Sequence, residues 1–467
     1  MPGRAGALAV LSLSLLNVFI VAAGLAVAKL TPERHLSPQP PSVAARDLVQ
    51  APGGIPAADL AAVRPPNAPA VAGRLTPLIG GPGGTINAVV IDAVSRRPIF
   101  EQRADRPATP ASTTKLATSV AVLASVGPQH RITTRVVRSR GGGVVLVGGG
   151  DPTLTALPER PGAGHPPYAS LTELAQQTAS ALKATGRTTG AGRVQVDYDA
   201  SAYQGPRAAA SWKPNYLPDG ELAPVSALTV DEGRVSPADP TRNSRVGDPP
   251  AAAAAAFARL LTANGVPARA GRQAVAQKGA AQLGAVQSAP VSALVEHLLT
   301  ESDNDVAEAM ARQVAIKLGR QPSFAGGAQA VRQVLARLGV ADGVLVNDGS
   351  GLSPQNRISP IALARIVSLA AAPERPELRA VITGLPVAGF SGTLSPPRYT
   401  VPMSQAGAGV VRAKTGTLSG ISTLAGVAYD ADGRLLAFAF MAGDGKGTVD
   451  PGKLDRLAAA IAACGCG

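Results

Sequence analysis

At 467 residues, with 45% hydrophobic and 16% charged side chains, the chain is too long for one ordinary core and too apolar for a disordered polyelectrolyte. Aromatics at 3%, four histidines and two cysteines exclude base-stacking platforms, zinc fingers and HExxH centres, so the composition predicts no nucleic-acid partner, no metal and no cofactor. The net charge of +13 attracts an anionic neighbour, whether nucleic acid, acidic lipid headgroups or a cell wall, and the export signal at the N-terminus favours the last two.

Residues 5–28 carry no charge, and this run of 24 is long enough to cross a ~30 Å hydrocarbon core. It reads as a membrane-spanning signal anchor or, with Ala26-Val27-Ala28 suited to a signal peptidase, as a cleaved signal; both export the chain. Residues 29–74 are Pro- and Ala-rich and predict an extended linker. Structure is expected from Leu75, with strands at 86–91 and 99–101 about the turn Ser95–Pro98. A helix follows over Ser112–Ala124, stopped by Gly127-Pro128. This first part, 75–131, gives way at 132–247 to short strands (135–137, 144–147, 194–196) and one helix at 171–182, the pattern of an inserted β-rich domain. From 248 to 467 helices return at 251–264, 289–300, 304–318, 327–338 and 359–371. Strands at 409–415, 422–429 and 434–442 follow, the last two joined by the hairpin turn Asp430–Gly433, and a helix at 453–463 ends the series. The fold class is therefore α/β (α+β), one domain in two segments interrupted by another. Cys464 and Cys466 either close a small strained ring or remain thiols on a frayed tail.

Three short elements carry the chemistry. In Ser112-Thr113-Thr114-Lys115 the i, i+3 spacing at a helix start brings an amine to a hydroxyl, which is a poor nucleophile until a base takes its proton. The helix N-terminus also favours developing negative charge there. The spacing recurs at Ser180–Lys183, inside an Ala-rich helix, where it reads as a solvated face. Ser302-Asp303-Asn304 lies between two helices and suits an N-cap, yet it also offers a second hydroxyl and an amide. Lys414-Thr415-Gly416-Thr417 closes an apolar run, where a glycine admits a substrate backbone and a cation with hydroxyls holds a carboxylate. Lys115 and Ser302 are 187 residues apart, Ser302 and Lys414 112.

In this order the SxxK, SxN and KTG elements form the set found in penicillin-binding proteins and serine β-lactamases. The chain resembles the D-alanyl-D-alanine carboxypeptidase/endopeptidases of the class C low-molecular-mass penicillin-binding proteins, similar to peptidase family S13. The resemblance spans about residues 75–463 and includes Gly149-Gly-Asp151-Pro-Thr-Leu154 and Asp348-Gly-Ser-Gly-Leu-Ser353. It implies an antiparallel sheet flanked by helices, peptidoglycan stem peptides as substrates and β-lactams as acylating inhibitors. Ser112 is then the nucleophile and Lys115 its base. Ser302 and Lys414 pass the proton to the leaving D-alanine, and Asn304 binds the peptide amide. Lys414, Thr415, Gly416 and Thr417 receive the terminal carboxylate, with an oxyanion hole from the Ser112 and Thr417 amides. Asp199 and Tyr203 resemble contacts to the stem-peptide side chain. A basic residue is expected directly after Ser353; Pro354 stands there, and Arg357 is the displaced candidate for binding that side chain's carboxylate.

Three rival readings fit these residues less well. A β-lactamase commonly carries a water-positioning glutamate between SxN and KTG, and no Glu occurs between Glu308 and Glu374. A catalytically silent wall-binding protein has no need of the intact Ser112, Lys115, Ser302, Asn304 and Lys414 set. A Ser-His-Asp hydrolase lacks support, since no GxSxG occurs and His130, His165 and His297 show no partner pattern.

Overall fold

The computed structural model describes residues 63–80, 85–158, 167–184, 192–239, 241–443 and 447–467. Its first sheet joins chain segments from both ends. Strands β1 (Ile86–Asp92), β2 (Pro98–Gln102), β10 (Val411–Leu418), β11 (Ile421–Tyr429) and β12 (Leu435–Ala442) pair antiparallel in the order β10-β11-β12-β1-β2. The register sets Ile86 opposite Ala442 and Lys414 opposite Ala425. Alternate side chains point to opposite faces, and both faces are covered, so these strands are apolar throughout. Leu436, Phe438 and Phe440 of β12 pack toward one core, whereas Ala437, Ala439 and Met441 pack toward the other.

The first of those cores lies under helices α1 (Ala68–Ile79) and α11 (Pro451–Ala462). The linker predicted to run through residue 74 ends earlier, because α1 buries Val71 and Leu75 against this face. The C-terminal tail is docked rather than frayed: Cys464 and Cys466 form a disulfide, both are buried, and the Cys466 carbonyl accepts from the Asn67 N–H at 2.7 Å. On the opposite face the small side chains Ala437 and Ala439 let helix α8 (Pro360–Ala371) come close. The same core gathers α2 (Thr114–Ser125), α5 (Val291–Thr300), α6 (Asn304–Lys317), α7 (Phe324–Arg337) and the short α9 (Arg379–Thr383). A small ladder of β8 (Val344–Leu345) and β9 (Arg357–Ile358), together with α10 (Pro402–Gln405), completes this domain.

Between β2–α2 and α5 the chain builds a second sheet from β3 (Thr133–Arg138), β4 (Val144–Val147), β5 (Val194–Asp199), β6 (Ala268–Gln273) and β7 (Gln282–Gln287). Its order is β6-β5-β4-β3-β7, with β4–β5 and β5–β6 parallel. Helices α3 (Leu171–Ala184) and α4 (Pro249–Ala263) cover one face, packing Leu174, Phe257 and Leu261 onto Val136, Leu146 and Val196. Two corrections follow. The inserted region is a mixed sheet with helices rather than a β-rich segment, and its sheet extends past residue 247 to Gln287. The Ala-rich α4 belongs to it because the buried stripe of that helix faces the second sheet. Among the described residues no helix is long and apolar enough to cross a membrane; residues 5–28 lie outside them.

Candidate active site

The junction between Pro110 and α2 is built against sterics. Ala111 sits at φ 48°, a left-handed conformation that costs a non-glycine residue roughly 1–3 kcal/mol. Three neighbours hold it there. The Thr423 hydroxyl donates to the Pro110 carbonyl at 2.7 Å, and the Thr113 hydroxyl donates to the same oxygen at 2.7 Å. Gly351 presses on the Ala111 carbonyl so closely that a Cβ would lie 2.0 Å from its oxygen. A short 3-10 turn, Ala111–Thr113, then leads into α2 and leaves Ser112 partly exposed, while Lys115 in the first helical turn is fully buried.

The Lys115 amine has three oxygen neighbours, two of them from distant parts of the chain. Its Nζ lies 3.1 Å from Ser112 Oγ, 2.7 Å from Asn304 Oδ1 and 2.8 Å from the Ser350 carbonyl oxygen. No carboxylate is among them. Burial therefore dominates and lowers its pKa from 10.5 to about 8, against the upward pull of Asp303, Asp348, Glu308 and Glu221. Lys414 is likewise fully buried, with Nζ donating to the Thr415 carbonyl at 3.0 Å. Its pKa is held well below the ordinary value by burial and then by the charge of Lys115. Two buried amines thus act on one another electrostatically, which disfavours charging both.

Strand β10 approaches the serine turn through Gly416. A Cβ there would lie 2.2 Å from Thr423 Oγ1, 2.7 Å from the Pro110 carbonyl oxygen and 3.0 Å from the Ser112 nitrogen. The glycine is needed by the protein's own backbone, a reason for the KTG sequence that the reading from substrate access had missed. Thr415 meets Thr393 hydroxyl to hydroxyl at 2.8 Å, and Thr417 is exposed.

At the start of α6, Asp303 is the N-cap, accepting from the Val306 N–H at 2.9 Å, and Ser302 before it sits at φ 62°. Asp303 is held at about pKa 2; burial raises it, but His297, the Val306 N–H and Glu232 outweigh that. His297, given no partner by the sequence, is enclosed: Nε2 lies 3.1 Å from Asp303 Oδ2 and Nδ1 3.2 Å from the Tyr168 hydroxyl. Ligand atoms of Glu232, His297 and Asp303 lie within 4.8 Å of one another, and Arg234 and Arg245 meet the Glu232 charge at 3.0 and 3.3 Å. The Tyr168 end opens on a cavity of about 1200 Å³, lined also by Thr153, Asp231 and Gln287. Ser112, Lys115 and Lys414 are not among its lining residues.

Asn304 uses both ends of its amide: Oδ1 accepts from Lys115, and Nδ2 donates to the Glu221 carbonyl at 2.9 Å. The partner comes from a segment of the inserted region that the sequence had not marked. From that segment Trp212 Nε1 donates to Asp348 at 2.8 Å and Lys213 Nζ lies 3.0 Å from Ser419 Oγ, just past the KTG strand.

Three side chains expected to contact the stem peptide have partners within the protein. The buried Asp199 carboxylate accepts from the Ser201 and Ala276 N–H groups at 2.8 and 2.7 Å, closing its own strand end. Tyr203 donates to the Gly150 carbonyl at 3.1 Å and stacks near Arg312. Arg357 donates to Thr109 Oγ1 and to the Pro354 and Asn356 carbonyls, pinning its own loop. Each of the three side chains thus has partners within the protein itself.

A sequence profile of the D-Ala-D-Ala carboxypeptidase 3 (S13) family matches residues 82–250 and 237–463. A carboxypeptidase of Mycobacterium tuberculosis is 37% identical over 92% of this chain and 89% of its own length. The carboxypeptidase DacB of Mycolicibacterium smegmatis is 35% identical over 99% and 97%. The crystal structure of penicillin-binding protein 4 from Haemophilus influenzae superposes with a TM-score of 0.63 at 20% identity, covering 84% of this chain and 98% of that one.

Proposed function

From the premise that the chain belongs to the D-Ala-D-Ala carboxypeptidase 3 (S13) family and is a serine-type D-Ala-D-Ala carboxypeptidase, we propose how its own residues carry the reaction. The carrying observation is the Lys115 amine, fully buried and 3.1 Å from Ser112 Oγ. In the neutral amine two N–H bonds point to Asn304 Oδ1 and the Ser350 carbonyl, and the lone pair is left for the Ser112 hydroxyl. Ser112 Oγ attacks the carbonyl of the penultimate D-alanine as its proton passes to Lys115. The Ser112 and Thr417 amides stabilise the oxyanion. Collapse breaks the C–N bond, and the terminal D-alanine leaves with a proton relayed through Ser302 and Lys414. Water then adds to the acyl-enzyme and releases the shortened peptide and Ser112. Lys414, Thr415 and Thr417 receive the free carboxylate, which suits a depressed but protonatable amine beside two hydroxyls.

The substrates are peptidoglycan stem peptides, met outside the cytoplasm after export by residues 5–28, whether as an anchor or as a cleaved signal. Endopeptidase turnover uses the same steps with a cross-linked amine as leaving group. β-Lactams acylate the same serine; the Haemophilus protein has been solved with a β-lactam bound, at a TM-score of 0.59 and 21% identity over 83% of this chain. A β-lactamase reading finds no water base in Glu308, whose two oxygens are bonded to Gly349, Ser350 and Arg312.

The test is incubation of the soluble protein with muropeptides of defined composition, reading products by mass. Loss of one D-alanine from pentapeptides, absent in Ser112→Ala, is expected; unchanged pentapeptide, or equal turnover by the variant, defeats the assignment.

A further inference from the structure

Glu308 and Arg312 are the most deeply buried ion pair of the described residues near the site. Both side chains are 2% exposed or less, one turn apart on α6 and paired at 3.0 Å. Burying two charges inside a helical core is unfavourable unless their remaining hydrogen-bonding capacity is used. Glu308 spends it on a loop: Oε1 accepts the Gly349 N–H at 3.0 Å and the Ser350 N–H at 2.9 Å. The Thr118 hydroxyl of α2 donates to the Gly349 carbonyl at 2.8 Å, and the Asp348 carboxylate accepts the Gly351 N–H at 3.0 Å. Gly349 lies so close to α6 that a Cβ would meet the Ala307 carbonyl oxygen at 2.6 Å. Thus both peptide units flanking Ser350 are fixed, and the Ser350 carbonyl is the oxygen that accepts from Lys115 at 2.8 Å.

We infer that Glu308 is a positioning residue for the Lys115 amine: it holds the Gly349-Ser350 loop so that one N–H of the amine is committed to the Ser350 carbonyl and the lone pair is aimed at Ser112. The inference rests on the proposed base role of Lys115. The pair also ties the inserted region to the reaction centre, since the Arg312 guanidinium lies 5.6 Å from the Tyr203 ring and 4.1 Å from that of Phe324. Tyr203 is thereby a packing partner of the lock.

Charge supplies a readout that a purely structural role would not move. The groups acting on Lys115 are Asp303 and Glu308 of α6 and its cap, Asp348 of the loop and Glu221 of the inserted segment, with Lys414 opposite on β10. Glu308 pulls the Lys115 pKa upward, so removing its charge lets that pKa fall further.

The experiment measures second-order acylation by a fluorescent penicillin across pH, per labelled molecule, in the full chain. Glu308→Gln keeps one acceptor oxygen but loses the charge; its plateau rate falls roughly tenfold, the scale of one hydrogen bond to a charged group, and its acidic limb moves to lower pH. Glu308→Asp keeps the charge but is too short to reach the loop; its plateau falls similarly with the limb in place. A wild-type plateau in either folded variant overturns the inference, as does a limb that stays put in Glu308→Gln. If Glu308→Gln does not fold, Glu308→Asp alone decides through its plateau. Wild-type acylation in Lys115→Ala instead removes the base role itself, whereas an inert Lys115→Ala beside wild-type Glu308 variants removes only this inference.

Discussion

Two stretches of the chain share a serine three residues before a lysine, Ser112–Lys115 at the entry to α2 and Ser180–Lys183 at the end of α3, and their surroundings differ in every respect that matters to reactivity. Ser180 and Lys183 are exposed on the outer face of α3. Lys115 is fully buried, with oxygen neighbours from three separate segments. The shared spacing brings amine and hydroxyl to one side of a turn. In the proposed mechanism, what lets the first pair act as base and nucleophile is the removal of water from the amine without a carboxylate to keep it charged.

The contrast breaks hardest at Ser112. Ser112→Ala should abolish covalent labelling by penicillin while melting at the wild-type temperature, whereas Ser180→Ala should label normally. Next, Lys115→Ala should slow acylation by about 10²–10⁴-fold, the usual contribution of general-base catalysis. With the neutral amine as the proposed base and its pKa lowered to about 8, the wild-type rate should fall as pH drops below that value, approaching tenfold per unit. A flat profile between pH 6 and 9, on the order of three units, would contradict it.

Gly416→Ala sharpens the comparison on the backbone side. The new methyl group would collide with Thr423 and the Pro110 carbonyl, so a loss of about 1–3 kcal/mol in thermal unfolding is expected, together with slower acylation. Asp303→Asn tests the cap beside Asn304. The folded carboxyl is held at about 2 against an ordinary 3.8, so its contribution is present above the ordinary value and lost as pH falls toward 2. The variant should be less stable by about 1–2 kcal/mol at neutral pH, and urea unfolding should show the gap closing in acid. The smallest effect belongs to Lys183→Ala, within about 0.5 kcal/mol of wild type as for other surface changes.

The same contrast explains what could be read in advance. Strands whose two faces are both buried, such as β11 and β12, announce themselves by continuous apolar runs, helix α5 by its periodicity, and α6 to α8 by periodicity and caps. Strands β6 (Ala-Arg-Ala-Gly-Arg-Gln) and β7 (Gln-Leu-Gly-Ala-Val-Gln) went unread because they are sheet edges with mostly exposed or half-buried residues and little apolar alternation. Omitting them set the inserted region's limit at 247 and left α4 on the wrong side of it. Within the site, three motifs were legible as residue types at fixed offsets. Glu308, the Ser350 carbonyl and the Glu221 carbonyl were not, since two act through backbone atoms and the third through a loop forty residues away. His297 was passed over for the same reason: its partners Asp303 and Tyr168 meet it only in three dimensions.

The central position of β1 and β12, adjacent strands from opposite ends of the chain, imposes an order of events on biogenesis. As the polypeptide emerges, α2 and the antiparallel pair β1–β2 appear early, but the other edge of β1 has no partner strand until the last eighth or so of the chain has followed. The second sheet, contiguous from Thr133 to Gln287 apart from its loops, closes on itself long before that. Its early folding would hold the two halves of the reaction centre near one another while the first strands wait. Until β12 docks, the apolar flanks of β1 lie open, and the chain is then most exposed to proteases and to other copies of itself.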